Sequence, residues 1–150
     1  MNKLYFMNEA IEEAKKAYDK GETPIGAVVV KDDQIIGRGH NLTETLNDST
    51  AHAEMLAIKD AAKTLGGWRL MNCDLYVTME PCIMCSGAIV NSRIKNIIIG
   101  TKHIKNAYIE KQQTFKMEYF KDCRINVEFG IMEEECSIIL QRFFKELRKK

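Results

Sequence analysis

Pro81-Cys82-Ile83-Met84-Cys85 places two thiols two residues apart, after a strand-like run and at the start of a helix-like one. Such a pair can serve as a dithiol redox couple, as half of a structural zinc knuckle or as half of a catalytic metal site. On a helix, positions 82 and 85 share one face. A helix amino terminus also favours thiolate, because its free N–H groups and dipole stabilise negative charge, and thiolate is the form that binds zinc. The chain has no second Cys-x-x-Cys, which excludes a four-cysteine knuckle. A redox pair is expected after the first strand of a βαβ unit, whereas this one follows the third predicted strand.

A partner for the thiols stands upstream in Thr50-Ala51-His52-Ala53-Glu54. His52 and Glu54 fall in the first turn of a predicted helix, and their i, i+2 spacing points them to different sides of it. The economical reading makes His52 a ligand and leaves Glu54 beside the metal but off it. Three protein ligands leave tetrahedral zinc one position for water, the mark of a catalytic site, and a nearby carboxylate then acts as acid and base. Each residue alone has an ordinary structural role, His52 as a cap or core residue and Glu54 as a dipole-friendly surface acid. Two helix starts carrying the complementary halves of one site favour the metal.

The elements that must position these groups are readable from periodicity. Leu4, Met7, Ile11, Ala14 and Tyr18 recur at helical spacing over 3–20. Strands are expected at 25–31, 34–41, 74–79, 95–100 and 125–130. Helices are expected at 51–65, capped by Ser49 or Thr50 and stopped by Gly66-Gly67, at 82–92, and from Glu133 to Lys149. The segment 101–124 gives no clear pattern. Strands alternating with helices imply an α/β sheet covered on its faces.

Bulk properties narrow the function class. The chain has 150 residues, 45% hydrophobic and 29% charged, which suits a single domain with a full core. A net charge of +1 gives no whole-molecule signal for nucleic acid, but Gln141–Lys150 carries Arg142, Lys145, Arg148, Lys149 and Lys150 against Glu146 alone. The amino-terminal stretch lacks an apolar signal core and no run is long enough to span a bilayer, so the expected location is the cytoplasm and no membrane partner is expected. Five cysteines do not make a complete disulfide framework. Cys73, Cys123 and Cys136 lack metal-ligand spacing and read as small buried or inert thiols, and Trp68 reads as packing.

At these residues the sequence resembles the zinc-dependent cytidine deaminase superfamily, whose signature is H-x-E followed by P-C-x-x-C. The segments "PIGAVVVKDDQIIGRGHN", "STAHAEMLAI", "LYVTMEPCIMCSGAIVNSRIKNIIIG" and "FFKELRKK" are similar to the TadA-type tRNA-specific adenosine deaminases. The resemblance implies a three-layer α/β/α sandwich with a central mixed five-stranded sheet, one deaminase domain over residues 1–150, and one zinc ion per chain. It implies a homodimer that converts adenosine to inosine at the wobble position of a tRNA anticodon. By the same resemblance His52, Cys82 and Cys85 hold the metal and Glu54 is the acid and base. Asn41 and Ala53 contact the flipped base, and Phe143, Phe144 and Arg148 meet the anticodon loop. Aromatic rings for stacking and cations for phosphates are what a single-stranded RNA site needs.

This chain departs from the family pattern at Ser49, where proline is usual, and in the loop over 101–113. There His103 replaces an acid, Lys105 is kept, and Ala107-Tyr108-Ile109 replaces small residues. The altered loop favours a rival with the same chemistry, a deaminase of a free base or nucleoside of guanine or cytosine type. The basic Phe-Phe helix opposes it. A non-catalytic RNA-binding zinc subunit would lack the carboxylate that Glu54 supplies. His103 is expected at an RNA contact or in solvent, and His40, next to Asn41 on an alternating strand, is expected to face away from the pocket.

Overall fold

A computed structural model describes residues 2–103 and 107–149. The elements are α1 Lys3–Asp19, β1 Gly26–Lys31, β2 Gln34–His40, α2 Ala53–Leu65, β3 Asp74–Met79, α3 Ile83–Asn91, β4 Asn96–Thr101, α4 Ala107–Asp122, β5 Asn126–Phe129 and α5 Glu133–Arg148. The strands form one mixed sheet in the order β2-β1-β3-β4-β5. β1 pairs antiparallel with both β2 and β3, whereas β3, β4 and β5 run parallel.

Alternation along the central strands builds the three layers. Ala27, Val29, Leu75, Val77, Ile97 and Ile99 point to one face, where Ala57, Ala61, Ile89 and Phe120 of α2, α3 and α4 cover them. Val28, Val30, Tyr76 and Ile98 point to the other, against Phe6, Met7 and Ala10 of α1 and Cys136 of α5. The β-branched strands are therefore buried on both faces, as a sheet sandwiched between helices requires.

Two glycines set the seat of α2. A Cβ on Gly37 or Gly39 would overlap the carbonyl of Ala57 or Ala53 respectively. Only bare backbone at those two β2 positions lets α2 lie against the sheet so closely. Gly66, with φ of 75°, closes the helix in a left-handed cap, as expected from the Gly-Gly pair.

One segment without a clear pattern is assigned, and three expectations need correction. The segment 101–124 contains a full helix, α4. The amino-terminal cap residue of α2 is His52, and neither Ser49 nor Thr50 caps it, because the Thr50 hydroxyl donates to Asp48. Trp68 is 52% exposed and lies under the guanidinium of Arg69, 4.4 Å from the ring centre, and that of Arg93, 5.5 Å away. Cys123 is exposed, whereas Cys73 and Cys136 are buried and burial pushes both thiols up, Cys136 to about 12. Among the described residues no helix is long and apolar enough to cross a membrane.

Candidate metal centre and catalytic pocket

α2 and α3 each begin at this site, one on His52 and the other on Cys82. Both cap residues are extended, His52 with φ −81° and ψ 154°, Cys82 with φ −72° and ψ 174°. Neither spends its side chain on capping. The α2 cap comes instead from across the chain: Asn41 Oδ1 accepts the Ala53 N–H at 2.9 Å.

The two helix starts bring His52 Nδ1 within 3.6 Å of both Cys82 Sγ and Cys85 Sγ. All three donor atoms lie within 4.8 Å of one another, and among the described residues no other His, Cys, Asp or Glu joins them. Zinc bonds of about 2.3 Å to sulfur and about 2.0 Å to nitrogen, at the tetrahedral angle, put sulfur and nitrogen about 3.5 Å apart. The observed separation fits that ion, and the soft thiolate and imidazole donors suit it. A hydrogen bond from Cys85 draws Cys82 down to about 5, and His52 acts in the same direction. That same bond, with burial, pushes Cys85 strongly up. Both thiols must bind zinc as thiolates, so metal binding here would release protons.

Glu54 is 4% exposed and lies against Cys85 without entering the donor group. Burial raises its carboxyl to about 7, and the neighbouring Cys82 charge pushes the same way. A carboxyl balanced near neutrality can both take and give a proton.

The residues expected to meet a substrate are less uniform. Asn41 is buried, and because its Oδ1 is occupied by the Ala53 N–H its Nδ2 is the end left to donate. Ala53 itself is packed in the core and its N–H is engaged by Asn41, so it reaches the pocket only through that bond. Phe144 and Arg148 line a cavity of about 410 Å³ with Met79, Thr101, His103 and Leu140. Phe143 does not line it, turning to Tyr18 at 5.8 Å edge-on, which is packing. His40 faces α1, with Nδ1 3.0 Å from Glu13 and Nε2 2.9 Å from Lys20. His103 is half-buried, and burial lowers its imidazole. Lys105, and the side chains of Ala107 and Tyr108, lie outside the described residues.

Two buried carboxylates that frame the site escape a reading of the sequence. Glu22 accepts from the Glu44 N–H, from the Thr45 N–H and from the hydroxyls of Thr43 and Thr45, and so fixes the turn that follows Asn41. Burial works to raise its carboxyl, but these bonds outweigh it and hold the group below the usual range. Glu80 accepts the His103 N–H at 3.1 Å, the Gln113 amide at 3.3 Å and the Lys116 ammonium at 3.1 Å. The only local signal for either was an acid placed directly before or near a proline beside a buried strand.

Comparison with known proteins agrees with the geometry. The family model for the cytidine and deoxycytidylate deaminase zinc-binding region matches residues 1–101. A tRNA-specific adenosine deaminase of Bacillus subtilis strain 168 is 50% identical over 145 residues, covering 97% of this chain and 90% of that protein. One from Aquifex aeolicus strain VF5 is 46% identical over 148 residues, covering 99% and 97%. A solved structure from work on A-to-I editing by tRNA:A34 deaminases at the wobble position aligns with a TM-score of 0.81 at 40% identity, over 91% of this chain and 99% of that one. A guanine deaminase from Bacillus subtilis aligns with a TM-score of 0.67 at 40% identity, over 79% and 76%.

Proposed function

The chain belongs to the cytidine and deoxycytidylate deaminase zinc-binding family and, within it, to the tRNA-specific adenosine deaminases, and from that premise we propose that it hydrolyses adenosine to inosine at the wobble position of a tRNA anticodon. The family is one of hydrolases acting on C–N bonds of cyclic amidines. The observation that carries the reading is the convergence of His52, Cys82 and Cys85 beside the buried Glu54.

His52, Cys82 and Cys85 would hold the zinc, which would supply Lewis acidity that lowers the pKa of a water to about 7. Glu54 takes the proton that water gives up as its oxygen bonds to adenine C6. Glu54 delivers that proton to ring N1, then takes the proton of the new C6 hydroxyl and passes it to N6, so that the C6–N6 bond breaks, ammonia leaves and the C6 carbonyl of inosine remains. Asn41 donates from Nδ2 to an acceptor on the base edge, held in that orientation by its bond to Ala53. The burial of Glu54 keeps bulk water from levelling its proton affinity. Phe144 and Arg148 meet the anticodon loop, by stacking and by phosphate contact. We place the protein as one deaminase domain over residues 1–150, working as a cytoplasmic homodimer without a membrane partner. The support is the family resemblance and the near-complete alignment with its relatives.

The test offers an anticodon stem-loop with adenosine at the wobble position beside guanine, cytosine, adenosine and cytidine as free molecules, and measures ammonia release. Turnover of the stem-loop well above all the free molecules is expected. Release from guanine or a free pyrimidine alone would overturn the tRNA reading and select the free-base rival.

A further inference from the structure

The geometry points to Lys116 as a positioning residue: we propose that its ammonium, held against the Glu80 carboxylate and the Pro81 carbonyl, fixes the peptide that carries Cys82 and thereby the metal loop. The inference rests on the zinc-deaminase reading of the same site.

Lys116 and Glu80 are each 2% exposed. Lys116 Nζ donates to Glu80 Oε2 at 3.1 Å and to the Pro81 carbonyl at 2.8 Å. The other Glu80 oxygen takes the His103 N–H at 3.1 Å and the Gln113 amide at 3.3 Å. Burying two charges carries a desolvation cost that their attraction must first offset. Uncharged residues at both 80 and 116 would cover the same surface without that cost, so the pair is weak evidence for stability alone. What it supplies is a location. The Pro81 carbonyl belongs to the peptide plane whose nitrogen is that of Cys82, so a short charge-assisted bond to the carbonyl restrains the backbone from which the Cys82 thiol projects. Glu80 also ties His103, which lines the Phe144–Arg148 cavity, to the same loop. One ammonium from α4 therefore restrains the metal loop directly and, through Glu80, the edge of the Phe144–Arg148 cavity. Groups that orient ligands in this way typically change metal affinity or activity 10–100-fold when removed.

The full chain serves for the test. Lys116→Met leaves the Glu80 charge buried without its partner and is liable to misfold. The decisive variant is therefore Glu80→Gln with Lys116→Met, which removes both charges at nearly constant volume. Zinc affinity is measured by competition with a chromogenic chelator, and donor geometry by the ligand-field absorption of the cobalt-substituted protein; neither needs a substrate. The folded double variant should bind zinc about 10–100-fold more weakly and show a shifted cobalt spectrum. On the wobble-adenosine stem-loop its kcat should fall more than its KM changes. A folded double variant with the zinc affinity and cobalt spectrum of the native chain would overturn the proposal and leave Lys116 as a folding residue. Because the metal readouts are independent of turnover, a failure of the tRNA reading would show separately, as a native chain that binds zinc normally and leaves the stem-loop unchanged.

Discussion

At the scale of single residues, the division of labour between His52 and Glu54 is set by the first turn of α2. His52 turns its Nδ1 to the two sulfurs, and Glu54, two positions on, is buried against Cys85 outside the donor group. Glu54→Gln keeps the shape and removes the exchangeable charge. It should retain about one zinc per chain and lower single-turnover inosine formation by about 10²–10⁴-fold. A variant within threefold of the native rate would remove Glu54 from the proton path. The grouping of His52, Cys82 and Cys85 was readable in the sequence because each motif is short and sits at a helix start, where spacing limits the directions a side chain can take. Glu22, Glu80 and Lys116 were not. Their partners lie 21 to 36 positions away along the chain, so no local spacing encodes them. A buried acid is also indistinguishable from a surface one until the fold surrounds it.

At the scale of elements, the strands and four of the five helices follow from apolar periodicity and from glycine and proline punctuation. The helix α4 does not, for a physical reason. It buries Lys116 and leaves its neighbour Phe115 57% exposed, so the stripe that would have announced the helix is broken at its centre. The cap of α2 was misplaced for a related reason: its donor is met by Asn41 of the preceding strand end, a long-range bond. The close seat of α2 on β2 gives a direct prediction. Gly39→Ala forces a methyl into the Ala53 carbonyl. Overpacking of this kind costs about 1–3 kcal/mol, so the urea midpoint should fall by the corresponding amount, and zinc retention should drop with it because Ala53 adjoins His52. An unchanged midpoint would mean that α2 can lift off the sheet freely.

At the scale of the whole molecule, a net charge of +1 conceals a segregated distribution. The last turn of α5 carries Lys145 and Arg148, followed by Lys149, and of these Arg148 lines the 410 Å³ cavity beside Phe144. Changing Lys145, Arg148 and Lys149 together to alanine should weaken stem-loop binding and flatten its dependence on salt, by about 0.7 log units for each phosphate no longer neutralised. Identical salt slopes for variant and native chain would return these residues to the solvated surface. The arrangement of the sheet bears on the order in which such a molecule can assemble. His52 follows the β1–β2 hairpin, whereas the two thiols follow β3, which meets that hairpin only by pairing antiparallel with β1. The imidazole and the sulfurs are thus strangers in a nascent chain until that non-local pairing has formed. An ion arriving before that pairing finds no complete cage, and a grip made only after the folding barrier would slow escape from the finished structure more than it hastens arrival there.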